Sequence, residues 1–423
     1  MDAFVEGRRG YRRIAIGHSP NWRDNHIMNP VVVPGPPVPM PAPAPPLPVA
    51  VPPIPAPPNF NGQWTGLLLG ETPGYCVLEL EMTGGMITGK ASLLPADESI
   101  VPATIDLSFA PFLGNHQFQN IPVRAFDPDA GQAIDRARMA VRYPLSDVSP
   151  TVNVSISFQG PNVVVSFNSA LTFGHGILTK AHTTPSGVQP LSMSWEGFRD
   201  WMLKWPGRET FVFRGQSENW PLRTSFHRSS MKNLERYENV LIPETYKAVV
   251  NKLTGNFDLS KKDDLWSFYS VLQHHGYPTP LLDWSESVWV AAYFAFENAK
   301  MRADKSVRIF AFDRIGWHKT LQQKQLIMTR PHISFMDIIP RGNNRAGPQK
   351  SMFTVTNVDD IEAHIRATEA NVQQQFLWVI DIPTVDRDKA LADLDDFNVN
   401  RSMLFPDLDG FCRSMRIKQF GAD

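Results

Sequence analysis

Between residues 30 and 58, 15 of 29 positions are proline, interleaved with valine and alanine. Each proline fixes φ and removes a backbone donor, so this stretch can form neither a helix nor a central strand. It reads as a semi-rigid polyproline spacer rising ~3.1 Å per residue, with recognition by an aromatic-lined groove as the sharper alternative. The chain is therefore divided. Residues 1–29 form a basic arm carrying Arg8, Arg9, Arg12 and Arg13 beside Phe4, Tyr11 and Trp22, either a flexible tail or an arm that docks, and the folded domains are expected after the spacer.

Residues 59–181 have the period of strands. Cys76, Leu78, Leu80 and Met82 alternate with Val77, Glu79 and Glu81, and Gly84-Gly85 turns the chain into residues 86–93. Val152, Val154, Ile156 and Phe158 repeat the pattern, and Gly160-Pro161-Asn162 returns it through Val163, Val165 and Phe167. Two hairpins, with strands expected at residues 105–109 and 137–143, predict an antiparallel β-sandwich or small barrel. Such a domain senses a ligand, binds a protein partner or supports an oligomer, and the residues do not choose among these.

Residues 191–423 mix the two periods. Ser194 is placed to cap a helix with Trp195, Phe198, Trp201 and Met202 on one face, and residues 210–213 read as a strand delivering Arg214. Further strands are expected at 307–312, 352–355 and 376–382, with a helix at 359–375. This is an α+β pattern. Leu265, Phe268, Tyr269 and Leu272 mark an amphipathic helix that should stop near His275, where Gly276 suits a left-handed residue and Pro278 and Pro280 prevent continuation. From Gln273 the chain reads Gln-His-His-Gly-Tyr-Pro-Thr-Pro-Leu-Leu-Asp-Trp-Ser, followed by an apolar helix over 288–296 capped by Ser285 or Asp283. Core packing alone does not require an amide, imidazoles, hydroxyls and a carboxylate between two hydrophobic segments. The stretch reads as the floor of a polar pocket, with Gln273, His274, His275, Thr279 and Asp283 as candidates.

That stretch, together with Phe213-Arg214-Gly215-Gln216, resembles the FRG domain family, named for its tripeptide. Two later blocks extend the resemblance over about residues 194–411: Arg345-Ala-Gly-Pro-Gln349-Lys-Ser-Met-Phe353 and Leu404-Phe-Pro-Asp-Leu-Asp-Gly410. The glycine of the family pattern is Ser351 here. FRG domains have been grouped with ADP-ribosyltransferase-like folds, so the resemblance implies an ADP-ribosyltransferase-like C-terminal domain that takes NAD as substrate. It also implies a cytoplasmic effector of the toxin or phage-defence type.

The residues add a chemistry to this. Arg214 ends a strand, and its planar fork suits a phosphate, while Gly215 would let the ligand approach the backbone. Gln216 completes that cluster. Gln349 and Phe353, four apart, fit one face of a strand, where the amide would read a carboxamide or ribose hydroxyl and the ring would stack on it. One histidine is expected to cap the helix or bond Asp283, the other to face the pocket. A carboxylate near the nicotinamide ribose would stabilise an oxocarbenium-like transition state. The Glu-x-Glu of many such transferases is absent, so Asp407, Asp409 or Asp283 would take that role. The alternatives are an NAD-dependent ADP-ribosyltransferase or NAD glycohydrolase, and a non-catalytic module that binds a nucleotide or protein.

Other classes fit less well. Lys plus Arg (41) balance Asp plus Glu (42), so no global field draws DNA or an anionic membrane. No apolar run reaches the ~20 residues of a membrane span. Cys76 and Cys412 lie far apart with no Cys or His neighbour at zinc-ligand spacing, which argues against a zinc site and favours a reducing, cytoplasmic setting. Walker, Gly-x-Ser-x-Gly and His-Glu-x-x-His patterns are missing.

Overall fold

The computed structural model describes residues 58–420 apart from 130, 182–187, 254, 322–325, 327–329, 337, 339–344 and 346. The basic arm and nearly all of the proline-rich spacer lie outside the described residues. From Ala56 to Asp423 the chain forms one compact unit with two sheets.

The first sheet is built from β1 (Gly62–Gly70), β2 (Gly74–Thr83), β3 (Met86–Pro95), β4 (Ala103–Phe109), β5 (Asn115–Asp127), β6 (Gln132–Ala133), β7 (Thr151–Gln159), β8 (Asn162–Ser169) and β9 (Phe173–Lys180). β1 pairs with β9, and β4 pairs with β5 through Ala103–Ala125 and Ile105–Val123, so all of these strands except β6 close into an eight-stranded antiparallel barrel. Both hairpins expected from alternation are present. Closure explains why a barrel forms rather than an open sandwich: it leaves no exposed edge among these strands. Inward residues pack one aromatic cluster at one end, where Phe60 lies 4.8 Å from Phe158 and Trp64 lies 5.6 Å from Phe158.

The expected strand at 137–143 is instead the helix Arg136–Arg142. Asp135 caps it by accepting from the Arg138 amide, and none of its residues is buried. Ala, Arg and Met are strong helix formers, and without a buried face to reward alternation local propensity decides.

The second sheet runs β10 (Leu191–Ser192), β16 (Leu377–Pro383), β13 (Ser306–Asp313), β11 (Phe211–Gln216), β12 (Leu281–Ser285), β15 (Ser351–Thr356), β14 (Ile333–Met336). All neighbours are antiparallel except β10 and β16. The helices Trp195–Lys204 and Val288–Glu297 pack on one face, burying Trp195, Phe198, Ala291, Ala295 and Phe296. Helix Lys262–His274 and helix Ile361–Val372 close other faces. The C-terminal half is thus mixed α+β, as its periodicities predict.

The two sheets share a polar, buried seam. Glu81 of β2, 3% exposed, accepts from the amides of Lys232 and Asn233 and from Arg236. The Gln63 amide donates to the carbonyl of Asn357 at 2.7 Å and accepts from the Asp359 amide at 2.8 Å. Lys90 pairs with Glu235.

Candidate functional site

Strands β11 and β12 pair at a single register position, Phe213 with Ser285, and then diverge. β11 continues along β13, and β12 continues along β15, so the sheet splits between its two middle strands. A split exposes backbone groups that a ladder would have used. Arg214 answers part of this: its Nη1 donates to the Asp283 carbonyl oxygen at 2.8 Å and lies 3.9 Å from the Asp283 carboxylate. A cleft of about 680 Å³ opens at the split.

Of the residues singled out in the sequence, Arg214, Gly215, Gln216, Gln273, His274, Asp283, Gln349 and Phe353 all line this cleft. They come from β11, the end of helix Lys262–His274, β12, the turn leading into β15 and β15 itself. Asp283 is the one acidic residue among the lining residues, against Arg214, Arg228 and Arg345, so the cleft is cationic in a chain of net charge −1.

Asp283 is 55% exposed through the cleft mouth, yet protein encloses it on the remaining sides. That desolvation pushes its carboxyl above the ordinary value, while Arg214 and the Gln273 amide hold it down. Gln273 Nε2 donates to Asp283 Oδ1 at 2.6 Å. Buried Thr279 fixes the amide's orientation by donating from Oγ1 to Gln273 Oε1. Thr279 itself does not line the cleft; it positions Gln273.

One histidine at the helix end and the other in the cleft follow the sequence reading, and other placements differ from it. Gln273 rather than a histidine bonds Asp283. His275 stands outside the lining residues, exposed, and closes the helix through its own backbone N–H. His274 faces the cleft, its imidazole pushed below the usual value by desolvation and by Arg345. Ser287, not Ser285 or Asp283, caps helix Val288–Glu297, since Asp283 is committed to β12. Gln349 sits in the turn before β15, with Lys350 at φ 46°, so it shares no strand with Phe353. Its Nε2 donates to the Leu404 carbonyl at 3.1 Å.

Gly215 has a packing reason. A Cβ there would lie 1.8 Å from the Ala291 carbonyl oxygen, so glycine lets helix Val288–Glu297 press onto β11. The approaching backbone is that of the helix.

Asp407 lies outside the cleft lining. Its Oδ2 accepts from Arg345 Nε at 3.0 Å and its Oδ1 from the Gly410 amide at 2.7 Å, and these bonds hold it below the usual carboxylate range. It orients Arg345, whose guanidinium lies 4.9 Å from the centre of the Phe405 ring. The Asp409 side chain lies outside the described part.

Sequence reasoning missed Arg228, Trp220, Ser270 and Phe294. Arg228 donates to the Arg223 carbonyl at 2.6 Å and is brought to the cleft by the short helix Ser225–Arg228. Trp220 is half exposed at the rim. Neither stands in a periodic pattern, so no signal marked them. Two buried polar atoms at the cleft, Arg214 Nε and Ser270 Oγ, have no hydrogen-bond partner among the described residues. Such orphans are uncommon in folded proteins. Among the described residues no group of His, Cys, Asp or Glu is arranged to hold a metal, and no helix is long and apolar enough to cross a membrane.

The family model of the FRG domain matches residues 209–304. The match covers β11, helix Lys262–His274, β12 and helix Val288–Glu297, and with them Arg214, Gln273, His274 and Asp283. No curated protein and no solved structure matches the chain.

Proposed function

We propose that the split-sheet cleft binds NAD or a related dinucleotide and transfers or hydrolyses its ADP-ribose. One observation carries this reading: three guanidinium groups, one carboxylate and several aromatic faces converge in a single cleft of about 680 Å³. That volume falls within the ~300–1000 Å³ of small-molecule sites. Arg214 and Arg228 suit the two phosphates, since charge-assisted bonds from a guanidinium favour phosphate over neutral ligands. Trp220 and Phe294 offer ring faces for the base or the nicotinamide.

Asp283 supplies the chemistry. When the N-glycosidic bond breaks, nicotinamide leaves with the bonding electron pair and positive charge develops on the ribose. A carboxylate fixed beforehand by Gln273 stabilises that charge without reorganising at the moment of reaction. Water or an acceptor nucleophile then forms the new bond at the anomeric carbon, and its proton passes to Asp283 or to solvent. The ADP-ribosyltransferase-like assignment of the fold and an effector role of the toxin or defence type belong to this same reading.

Incubation of the full chain with NAD labelled separately in nicotinamide and in adenosine tests it. The expected result is nicotinamide release that Asp283→Asn abolishes while binding persists. Saturable NAD binding without release or transfer would instead support the non-catalytic module. That second reading is favoured by the Gln273 bond that occupies Asp283 Oδ1. Neither binding nor turnover would overturn both.

A further inference from the structure

The barrel is filled at one end only. Phe60, Trp64, Phe109, Phe112 and Phe158 plug one half with ring contacts of 4.8 to 6.1 Å. In the other half the inward wall is aliphatic and small, with Cys76, Ala91, Ile105, Val152, Val154 and Val165 beside Leu68 and Phe167. A lumen of about 440 Å³ remains there. Protein interiors are close-packed, and unfilled apolar space forfeits dispersion contacts, so a void of this size in a barrel core is a specific feature.

The lumen reaches solvent. Leu145 and Leu171 line it and are 95% and 49% exposed, and they mark the mouth between the loop at 143–149 and the turn between β8 and β9. The hydroxyls along the mouth are occupied by the protein itself. Ser146 accepts from the Val101 amide at 3.0 Å, Ser149 donates to the Thr151 carbonyl at 2.9 Å, and Ser169 donates to the Thr172 carbonyl at 2.9 Å. Ser149 and Ser169 thus have no hydroxyl hydrogen left for a ligand. The one charged side chain among the lining residues is Asp147, exposed at the rim.

We propose that this half-filled lumen is a binding site for an uncharged apolar small molecule, entering between Leu145 and Leu171. The wall chemistry rewards burial of hydrocarbon, at ~25 cal/mol per Å² of apolar surface. It offers no cation for an acid and repels one at Asp147. The site shares no lining residue with the cleft at the split sheet.

The neutral, polarity-sensitive probe N-phenyl-1-naphthylamine tests it on the full chain carrying Cys412→Ser, which leaves Cys76 in the lumen wall as the single thiol. Saturable, blue-shifted emission is expected, together with protection of Cys76 from methyl methanethiosulfonate by about tenfold or more at saturation. Burial pushes that thiol up to about 12, so the unprotected reaction is itself slow and is followed over hours. Val154→Trp should weaken the probe by about tenfold or more. Cys76 protection in the unfilled chain decides the matter should that variant misfold. Decanol should displace the probe better than decanoate. Absence of saturable binding, saturation without protection of Cys76, or stronger competition by decanoate would each overturn the proposal.

Discussion

Replacing Arg214 with alanine separates a ligand clamp from a structural strut. The guanidinium lies 3.9 Å from the Asp283 carboxylate. At an effective dielectric near 20 the gross attraction over such a distance is ~4 kcal/mol. Little of that survives as stability, because Asp283 is 55% exposed, and solvent-exposed pairs retain about 0–1 kcal/mol. The bond to the Asp283 carbonyl at 2.8 Å is the firmer part; a hydrogen bond from a charged donor contributes ~1.5–3 kcal/mol. Arg214→Ala should therefore cost about 2 kcal/mol in urea unfolding, below the ~3–5 kcal/mol of a stranded buried pair. Affinity for ADP-ribose, measured by calorimetry on the folded variant, should fall by about tenfold or more, since charge-assisted phosphate bonds are lost. The double variant Arg214→Met with Asp283→Leu completes the cycle. A loss of ~4 kcal/mol or more in Arg214→Ala that the double variant restores would make the pair a buried strut and refute the clamp. Unchanged ADP-ribose affinity in Arg214→Ala would refute it equally.

Gly215→Ala should destabilise the C-terminal half by ~3 kcal/mol or more, since its Cβ would sit 1.8 Å from the Ala291 carbonyl oxygen and β11 would have to part from the helix; thermal unfolding reads this, and a neutral effect would contradict the packing. Glu238 Oε2 is buried without a partner among the described residues, and burial pushes its carboxyl up from 4.5 to about 7. The folded state then holds the extra proton between those limits, so this group's contribution is fully present below about 4.5 and is lost as pH rises to about 7, by up to ~3 kcal/mol. Glu79 is raised to about 7 by burial as well, so Glu238→Gln should flatten the slope by Glu238's share in denaturant titrations at pH 5 and 8, and an unchanged slope would assign all of it elsewhere.

The local elements were legible because burial imposes period: the alternations at Cys76–Met82 and Val152–Phe158 became strands lining the barrel. Gly174 and Gly176 hid β9, since an alternation without side chains leaves no hydrophobic signal. The helix Arg136–Arg142 was misread because it buries nothing, so no pattern was available to correct a run of Ala, Met and Val. At the site, residue types pointed to Arg214, Gln273 and Asp283, but their convergence depends on register. The single Phe213–Ser285 pairing between β11 and β12 opens the cleft, and no local rule specifies where two distant strands stop pairing. Arg228 and Trp220 reach the same cleft from irregular segments, where side-chain direction is set by tertiary contacts alone.

Composition suggests two separable halves, and the buried seam joins them within one compact unit. Glu81 sits 3% exposed among three donors from residues 232–236, and a carboxylate so enclosed is tolerable only while those donors are present. On the other side, the Asp359 amide takes Gln63 as its acceptor, while the Asp359 carboxylate holds Arg223 at 2.7 Å. The Arg223 carbonyl in turn accepts from Arg228, which lines the cleft. β1 and β2 thus carry lumen residues such as Leu68 and Cys76 on their inner face and seam residues such as Gln63 and Glu81 elsewhere along the same strands. The barrel wall is therefore part of the scaffold that sets Arg228 at the cleft, and a cut at the polar stretch near residue 190 would leave buried polar groups on both fragments without their partners.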